Sequence, residues 1–189
     1  MQAVADELQV DVTTLYRHVG GVNELRRIGA KLAAPRVMAW PDTAGETWQS
    51  WIGALARYYR EALLDKPELI EFANAALDPD FEGLERATQI LAEFGFEPRA
   101  AVYAHSFLIN QVIGFVHQEL QDRDDAERGH PAYLRLFRAL EAGREASRLV
   151  TLRGLDFHPK DFDGDVMFDT FLEYLVEGIG GRPGAPKAK

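Results

Sequence analysis

Six consecutive residues, Thr13-Thr14-Leu15-Tyr16-Arg17-His18, gather two aliphatic hydroxyls, a phenol, a guanidinium and an imidazole within about two turns of chain. Donors of these kinds suit phosphate oxygens, and a methyl-bearing side chain beside them can recognise a thymine methyl. To act on a duplex they must ride on one short helix that a second helix holds in place. The flanking sequence supplies both. Ala3, Val4 and Leu8 recur at helical spacing, Val10 and Asp11 interrupt the run, and Leu15, Tyr16 and Val19 begin a second short apolar pattern ahead of Gly20-Gly21. Two helices crossing at a tight turn are how a helix-turn-helix seats its second helix in the major groove. The plainer alternative is two ordinary core helices, with Tyr16 spent on packing and His18 acting as a helix-end cation.

The string from Val4 to Val19, followed by Gly20-Gly21-Val22-Asn23-Glu24-Leu25, closely resembles the helix-turn-helix of TetR-type transcriptional repressors. By that resemblance Gln2, Val12 and Thr13 contact base edges, Thr14, Tyr16 and His18 grip phosphate, and Arg17 does either. Leu15 belongs to the core. Three departures accompany the match. Gln9 stands where members usually have a turn Gly, a position that often needs a left-handed backbone. Val22 replaces a Lys that would reach phosphate, and the family's first helix is absent, because Met1 already falls within the second. That absence is expected to leave the apolar faces of Leu8 and Leu15 uncovered.

The formal charge of −9 over 189 residues suits a nucleic-acid binder only when divided by region. Residues 1–40 carry a net +1, and the rest of the chain −10. Affinity for DNA rests on cations near phosphates, so any contact must come from the N-terminal segment, with the acidic body held away.

A second constellation lies between Pro98 and Gln121. Val102, Ile109, Ile113, Val116 and Leu120 line one apolar stripe, while Tyr103, Phe107, Asn110, Gly114 and His117 mix aromatics, an amide, an imidazole and bare backbone on another. Buried polar groups need partners, and small-molecule cavities combine apolar walls with a few polar anchors. The second face is therefore a ligand-pocket candidate. Equally, Asn110 and His117 could be hydrogen-bonded across a dimer interface. Phe72, Asn74, Phe94 and His105 are weaker pocket candidates.

Metal and enzyme chemistries find little support. Tetracycline-repressor relatives hold a magnesium-borne ligand partly through a His and a Glu. Glu119 lies near the matching acidic position, no matching His is placed, and no metal or other cofactor is expected. The five histidines show no paired zinc spacing, and the absence of cysteine removes disulfides and thiolate sites. There is no nucleophile elbow, P-loop or Gly-rich fingerprint after a strand. Asp161, Asp163 and Asp165 alternate at a loop-to-helix junction without a calcium loop's closing Glu, so helix capping is expected.

Helical patterning runs throughout, and alternating strand patterns are lacking. Helices are expected from Asn23 to a stop at Pro35, along Trp48, Trp51, Ile52, Leu55, Tyr58, Tyr59 and Leu63, briefly from Pro67 to Asp78, from Phe81 to a stop at Gly95, and from Pro98 to Leu120. A charged loop at 122–129, a helix from Tyr133 to about Leu149, a loop at 153–159 and a final helix from Asp161 to Ile179 complete the chain. With 47% hydrophobic residues the chain can bury a substantial core, and, lacking a run of eighteen apolar residues, it is expected to carry neither a membrane span nor a secretion leader.

The expected fold is all-α. An incomplete helix-turn-helix and its connecting helix occupy residues 1–40. A helical ligand-binding and dimerisation domain, dimerising through a four-helix bundle, follows over 41–180, with a compositionally disordered tail at 181–189. Trp48 with Trp51 and Leu55, Leu91 to Gly95, Phe107 to Glu119 and Phe171 to Leu175 resemble the regulatory half of the tetracycline-repressor type more loosely. Together these imply a cytoplasmic homodimer that binds operator DNA, touches no membrane, and is released by a small apolar effector that changes the separation of its reading heads. The alternative is a helical ligand-binding or dimerisation module that no longer binds DNA.

Overall fold

The structure, a computed structural model, describes residues 1–33, 40–67, 70, 81–129, 131–141 and 148–186. Among these residues the ordered elements are helical and no strand forms. Two separate hydrophobic clusters organise them.

The smaller cluster belongs to α1 (Gln2–Glu7), α2 (Val12–His18) and α3 (Val22–Ala33). Ala5, Leu15 and Val19 are buried at its centre, and Met1, Val4, Val12 and Leu25 pack around them. Gln9 supplies the turn between α1 and α2 with φ of +55°, the left-handed backbone that the resemblance led one to expect there. Asp11 then caps α2, its carboxylate accepting the Thr13 N–H at 2.7 Å. Leu8 is 58% exposed, as expected, but Leu15 is covered by Ala5 and Val19. Its neighbours in the crossing helices suffice to bury it.

The larger cluster is built on α4 (Trp48–Asp65), α5 (Phe81–Glu93), α6 (Pro98–Glu127) and α9 (Gly164–Gly180), with α6 in contact with each of the other three. Thr47 and Ser50 form a reciprocal capping box that starts α4. Trp51, Ile52, Leu55 and Ala56 then enter the core at helical spacing. Gly95, at φ of +96°, ends the turn after α5, and Pro98 opens α6 where its missing donor costs nothing. Phe168, Leu172, Leu175 and Ile179 give α9 its buried stripe. Asp163 caps that helix by accepting the Asp165 and Val166 N–H groups, as the alternating aspartates led one to expect.

Three expectations need correction. The charged stretch after Gln121 is not a loop, since α6 continues to Glu127. Pairs four residues apart, Gln118 with Asp122 and Arg128 with Asp124, support the extra turns. Within 153–159, Arg153 ends the short helix α8 (Val150–Arg153), and a 3₁₀ turn follows at Pro159–Phe162. Finally, residues 181–186 do not trail away. They fold back on the start of α6, where the Glu97 N–H donates to the Gly184 carbonyl at 2.9 Å and Ala185 packs on the core.

Between Glu127 and α8, α7 (Ala132–Glu141) rests Tyr133 and Phe137 on Phe162. The short helix expected from Pro67, including Phe72 and Asn74, and the stop at Pro35 fall largely or wholly outside the described residues.

Candidate functional site

The donors read from the sequence emerge on the outer side of α2. Thr13, Tyr16, Arg17 and His18 are exposed and Thr14 is half-buried, while Leu15 points inward from between them. Tyr16 is 53% exposed, so packing does not consume its ring. Val12 is half-buried against the small core, which leaves only part of its side chain for a base edge. Gln2 stands exposed on α1 and donates to Asp6 at 2.8 Å. Hydrogen bonds from the Thr13 side chain and the backbone N–H groups of Thr13 and Thr14 hold the Asp11 carboxyl below its ordinary range, so the cap stays charged and α2 stays pinned at its start. The outward row offers several donors to a phosphate-lined groove on a helix whose inner side is fixed.

In the larger cluster, the five pocket candidates on α6 separate into two groups. Tyr103 and Phe107 line a cavity of 480 Å³ together with Phe96, Ala100, Ile179 and Arg182. Pro183 and Ala185 from the folded-back C-terminal segment close it. Its volume falls in the range of about 300–1,000 Å³ usual for ligand pockets. Asn110, Gly114 and His117 lie outside the cavity, exposed along the same face. Asn110 donates to the Ser106 carbonyl one turn back at 2.8 Å, and His117 pairs with Gln121 at 3.1 Å. The spacing Tyr103, Phe107, Asn110, Gly114, His117 alternates four and three residues, the repeat of a helix seam rather than of a closed pocket. That alternation was available in the sequence.

The apolar stripe assigned to α6 needs a rotation. The helix buries Ala101, Ala104, His105, Leu108, Val112 and Val116, whereas Val102, Ile109, Ile113 and Leu120 are only half-buried. Ala101 and Ala104 share this face with Leu108, Val112 and Val116 where α4 and α5 pack on the helix. Counting only large apolar side chains hid this.

His105 sits in that buried stripe, its Nε2 3.4 Å from the Tyr59 hydroxyl and its ring stacked 6.3 Å from Trp40. Burial pushes its pKa down to about 4, so at neutral pH it is an uncharged core group. Trp40 also meets Trp51 at 6.1 Å, and the Trp51 indole donates to the Pro41 carbonyl at 3.1 Å. Phe94 packs against the same tryptophan. These aromatic contacts anchor the entry to the larger cluster.

Glu119 is buried and held by guanidinium groups. Arg60 grips both its oxygens at 2.8 Å, Arg123 approaches one at 2.6 Å, and Arg60 also reaches Asp165 at 2.7 Å while lying 4.8 Å above the Phe168 ring. The hydrogen bonds to Glu119, then those to Asp165, hold Arg60 above its ordinary pKa against its own burial. With its carboxylate committed to two cations, Glu119 does not fit the role of a magnesium ligand. Sequence reasoning overlooked Arg60, although its place on the inner half of an amphipathic helix was a usable signal.

A helical body with a donor-bearing helix-turn-helix ahead of it defines a class of regulator rather than of catalyst. The family description "Tetracyclin repressor-like, C-terminal domain" matches residues 40–182. The chain belongs to this tetracycline-repressor family of transcriptional regulators. An "HTH-type transcriptional regulator" of Saccharopolyspora erythraea is 29% identical over 188 residues, covering 97% of this chain and 77% of the relative. Among solved structures, Streptomyces coelicolor ActR in complex with actinorhodin aligns with a TM-score of 0.72 at 21% identity, over 95% of this chain and 85% of that one. TetR from Acinetobacter baumannii AYE aligns at 0.59 and 25% identity, over 94% and 83%. Among the described residues no helix is long and apolar enough to cross a membrane.

Proposed function

We infer that the chain is a dimeric DNA-binding regulator, a repressor that a small ligand releases from its operator in the cytoplasm. The observation that carries this is the row of exposed donors Thr13, Tyr16, Arg17 and His18 on a helix pinned by the Asp11 cap and the buried Leu15. Thr13, with Gln2 and the free part of Val12, reads base edges, and Thr14, Tyr16 and His18 hold phosphates. Arg17 joins the phosphate contacts.

The dimer forms through α6 and α9. Met167 and Tyr174 on α9 are large apolar side chains left exposed in the single chain, with Tyr174 at 72%, and Asn110, Gly114 and His117 are exposed on α6. Two such helices from each copy make a four-helix bundle, in which Asn110, Gly114 and His117 fall at the seam. The effector enters the 480 Å³ cavity at the edge of that seam. Wedging it open shifts α6, about 45 Å long, and so alters the spacing of the two reading heads.

Fluorescence anisotropy on a duplex from upstream of the protein's own gene tests the proposal. The chain should bind with a steep salt dependence, and Arg17→Ala should weaken binding to all sequences alike and reduce the salt slope by about 1. A chain that binds no duplex at low salt, or an Arg17→Ala slope equal to that of the wild type, would reject it. The module that has lost DNA affinity would then be the better description.

A further inference from the structure

The cavity between α6 and the C-terminal segment has a chemical asymmetry. Phe96, Ala100, Phe107 and Ile179 make its walls apolar, and the one formal charge on its lining is the Arg182 guanidinium. Arg182 is exposed, and among the described residues no carboxylate reaches it within ion-pair distance. Arg57, Arg60, Arg123, Arg128 and Arg135 each hold an aspartate or glutamate, whereas Arg182, like Arg99 and Arg153, holds none among the described residues, and of these three Arg182 alone lines the cavity.

The backbone that carries Arg182 is fixed. Its N–H donates to the Ile179 carbonyl at 3.1 Å, and two residues later the Gly184 carbonyl accepts from Glu97. Gly184 has φ of +85°, and a Cβ there would stand 2.9 Å from that of Ala100, so this close approach needs glycine. The turn that brings this exposed cation to the mouth of an apolar pocket is thus braced. A braced turn limits the backbone entropy lost on binding, while the side chain remains free to orient on a ligand.

We propose that this cavity takes an aromatic organic anion, a planar carboxylate whose ring lies between Tyr103, Phe107 and Ile179 and whose charge is held by Arg182. A planar guanidinium can meet a carboxylate through two parallel hydrogen bonds, which a neutral ligand of the same shape cannot reproduce. The inference deepens the effector site named above and rests on it only for its regulatory meaning.

Isothermal titration calorimetry on the full chain, with 2-naphthoate and the neutral 2-naphthalenemethanol as probes, tests the site. Naphthoate should bind at least about tenfold more tightly than the alcohol. Arg182→Gln should abolish that preference, and Arg182→Lys should restore part of it. Gly178→Leu should weaken both probes alike, because Gly178 lines the cavity and its Cβ would project into open space. Since Arg182 has no partner to lose, Arg182→Gln should melt like the wild type. Equal affinity for the two probes, a preference that survives Arg182→Gln, or no binding of either probe up to about 1 mM would overturn the proposal. Operator release is read separately. Naphthoate bound through Arg182 without change in operator affinity would uphold the anion site and reject its regulatory use. Release by neutral ligands alone, with no carboxylate bound, would reject the anion site and leave the regulation standing.

Discussion

Replacing Glu119 by Gln should destabilise the regulatory half more than its small change in shape suggests. The Glu119 side chain is 6% exposed and that of Arg60 11%, so both charges sit largely outside water. Removing one partner of a buried pair costs about 3–5 kcal/mol, because the other charge remains buried without compensation. Here Arg60 keeps Asp165, whose side chain is 83% exposed and therefore a weakly held, solvent-screened partner. The Gln also retains an acceptor for one guanidinium hydrogen bond. We therefore expect a loss of about 2–3 kcal/mol for Glu119→Gln and about 3–4 kcal/mol for Glu119→Ala. Urea unfolding at fixed protein concentration, followed by the fluorescence of Trp40, Trp48 and Trp51 in the same half, reads the loss as a lower midpoint at constant slope. The double replacement Arg60→Met with Glu119→Leu supplies the control. It removes both charges and should return to within about 1.5 kcal/mol of the wild type. If Glu119→Gln cost less than about 1 kcal/mol, or if the double variant were as unstable as the two single changes summed, the reasoning from uncompensated charge would fail.

Acid should weaken the fold through His105. Its pKa is about 4 in the folded chain against the ordinary 6.5, so the unfolded chain takes up the proton first as pH falls. Stability from this group is complete above 6.5 and is lost progressively down to about 4, with about 2 kcal/mol gone between pH 7 and 5. His105→Phe should flatten urea midpoints over that window, and an unchanged pH slope would contradict the assignment. In the N-terminal unit, Gln9→Gly should relieve a left-handed residue and stabilise the turn by about 1 kcal/mol. Amide exchange at Leu15 and Val19 should slow about fivefold, and faster exchange would show that the turn gains from Gln9.

Much of the fold was legible because local chemistry agreed with tertiary need. Pro98 and the alternating aspartates around Asp163 announced helix starts, and Gly95 a stop, and each does so in the structure. The positive φ at Gln9 could be anticipated from the resemblance alone, since nothing intrinsic to Gln asks for it. What escaped was rotational. Ala101 and Ala104 share the buried face of α6 with Leu108, Val112 and Val116, and which face the neighbouring helices cover is not written in a single helix. That orientation turned Tyr103 and Phe107 outward, where they line the cavity, and left Asn110, Gly114 and His117 exposed beyond it. The folded-back segment at 181–186 escaped for a related reason. Its Gly- and Pro-rich composition resembles that of a flexible tail, yet Gly184 is there to bring backbone close to Ala100.

That contact also bears on how the chain is made. The first turn of α6 receives the Gly184 carbonyl, and its core receives Phe168, Leu172, Leu175 and Ile179, only after the rest of the regulatory half has been synthesised. At roughly 5–20 residues per second, α6 waits several seconds for these partners. During that interval α4 and α5 already cover much of its core face, but the part that α9 will cover stays exposed. A ribosome pausing late in this message would therefore hold out a partly uncovered helix about 45 Å long, a natural target for chaperones.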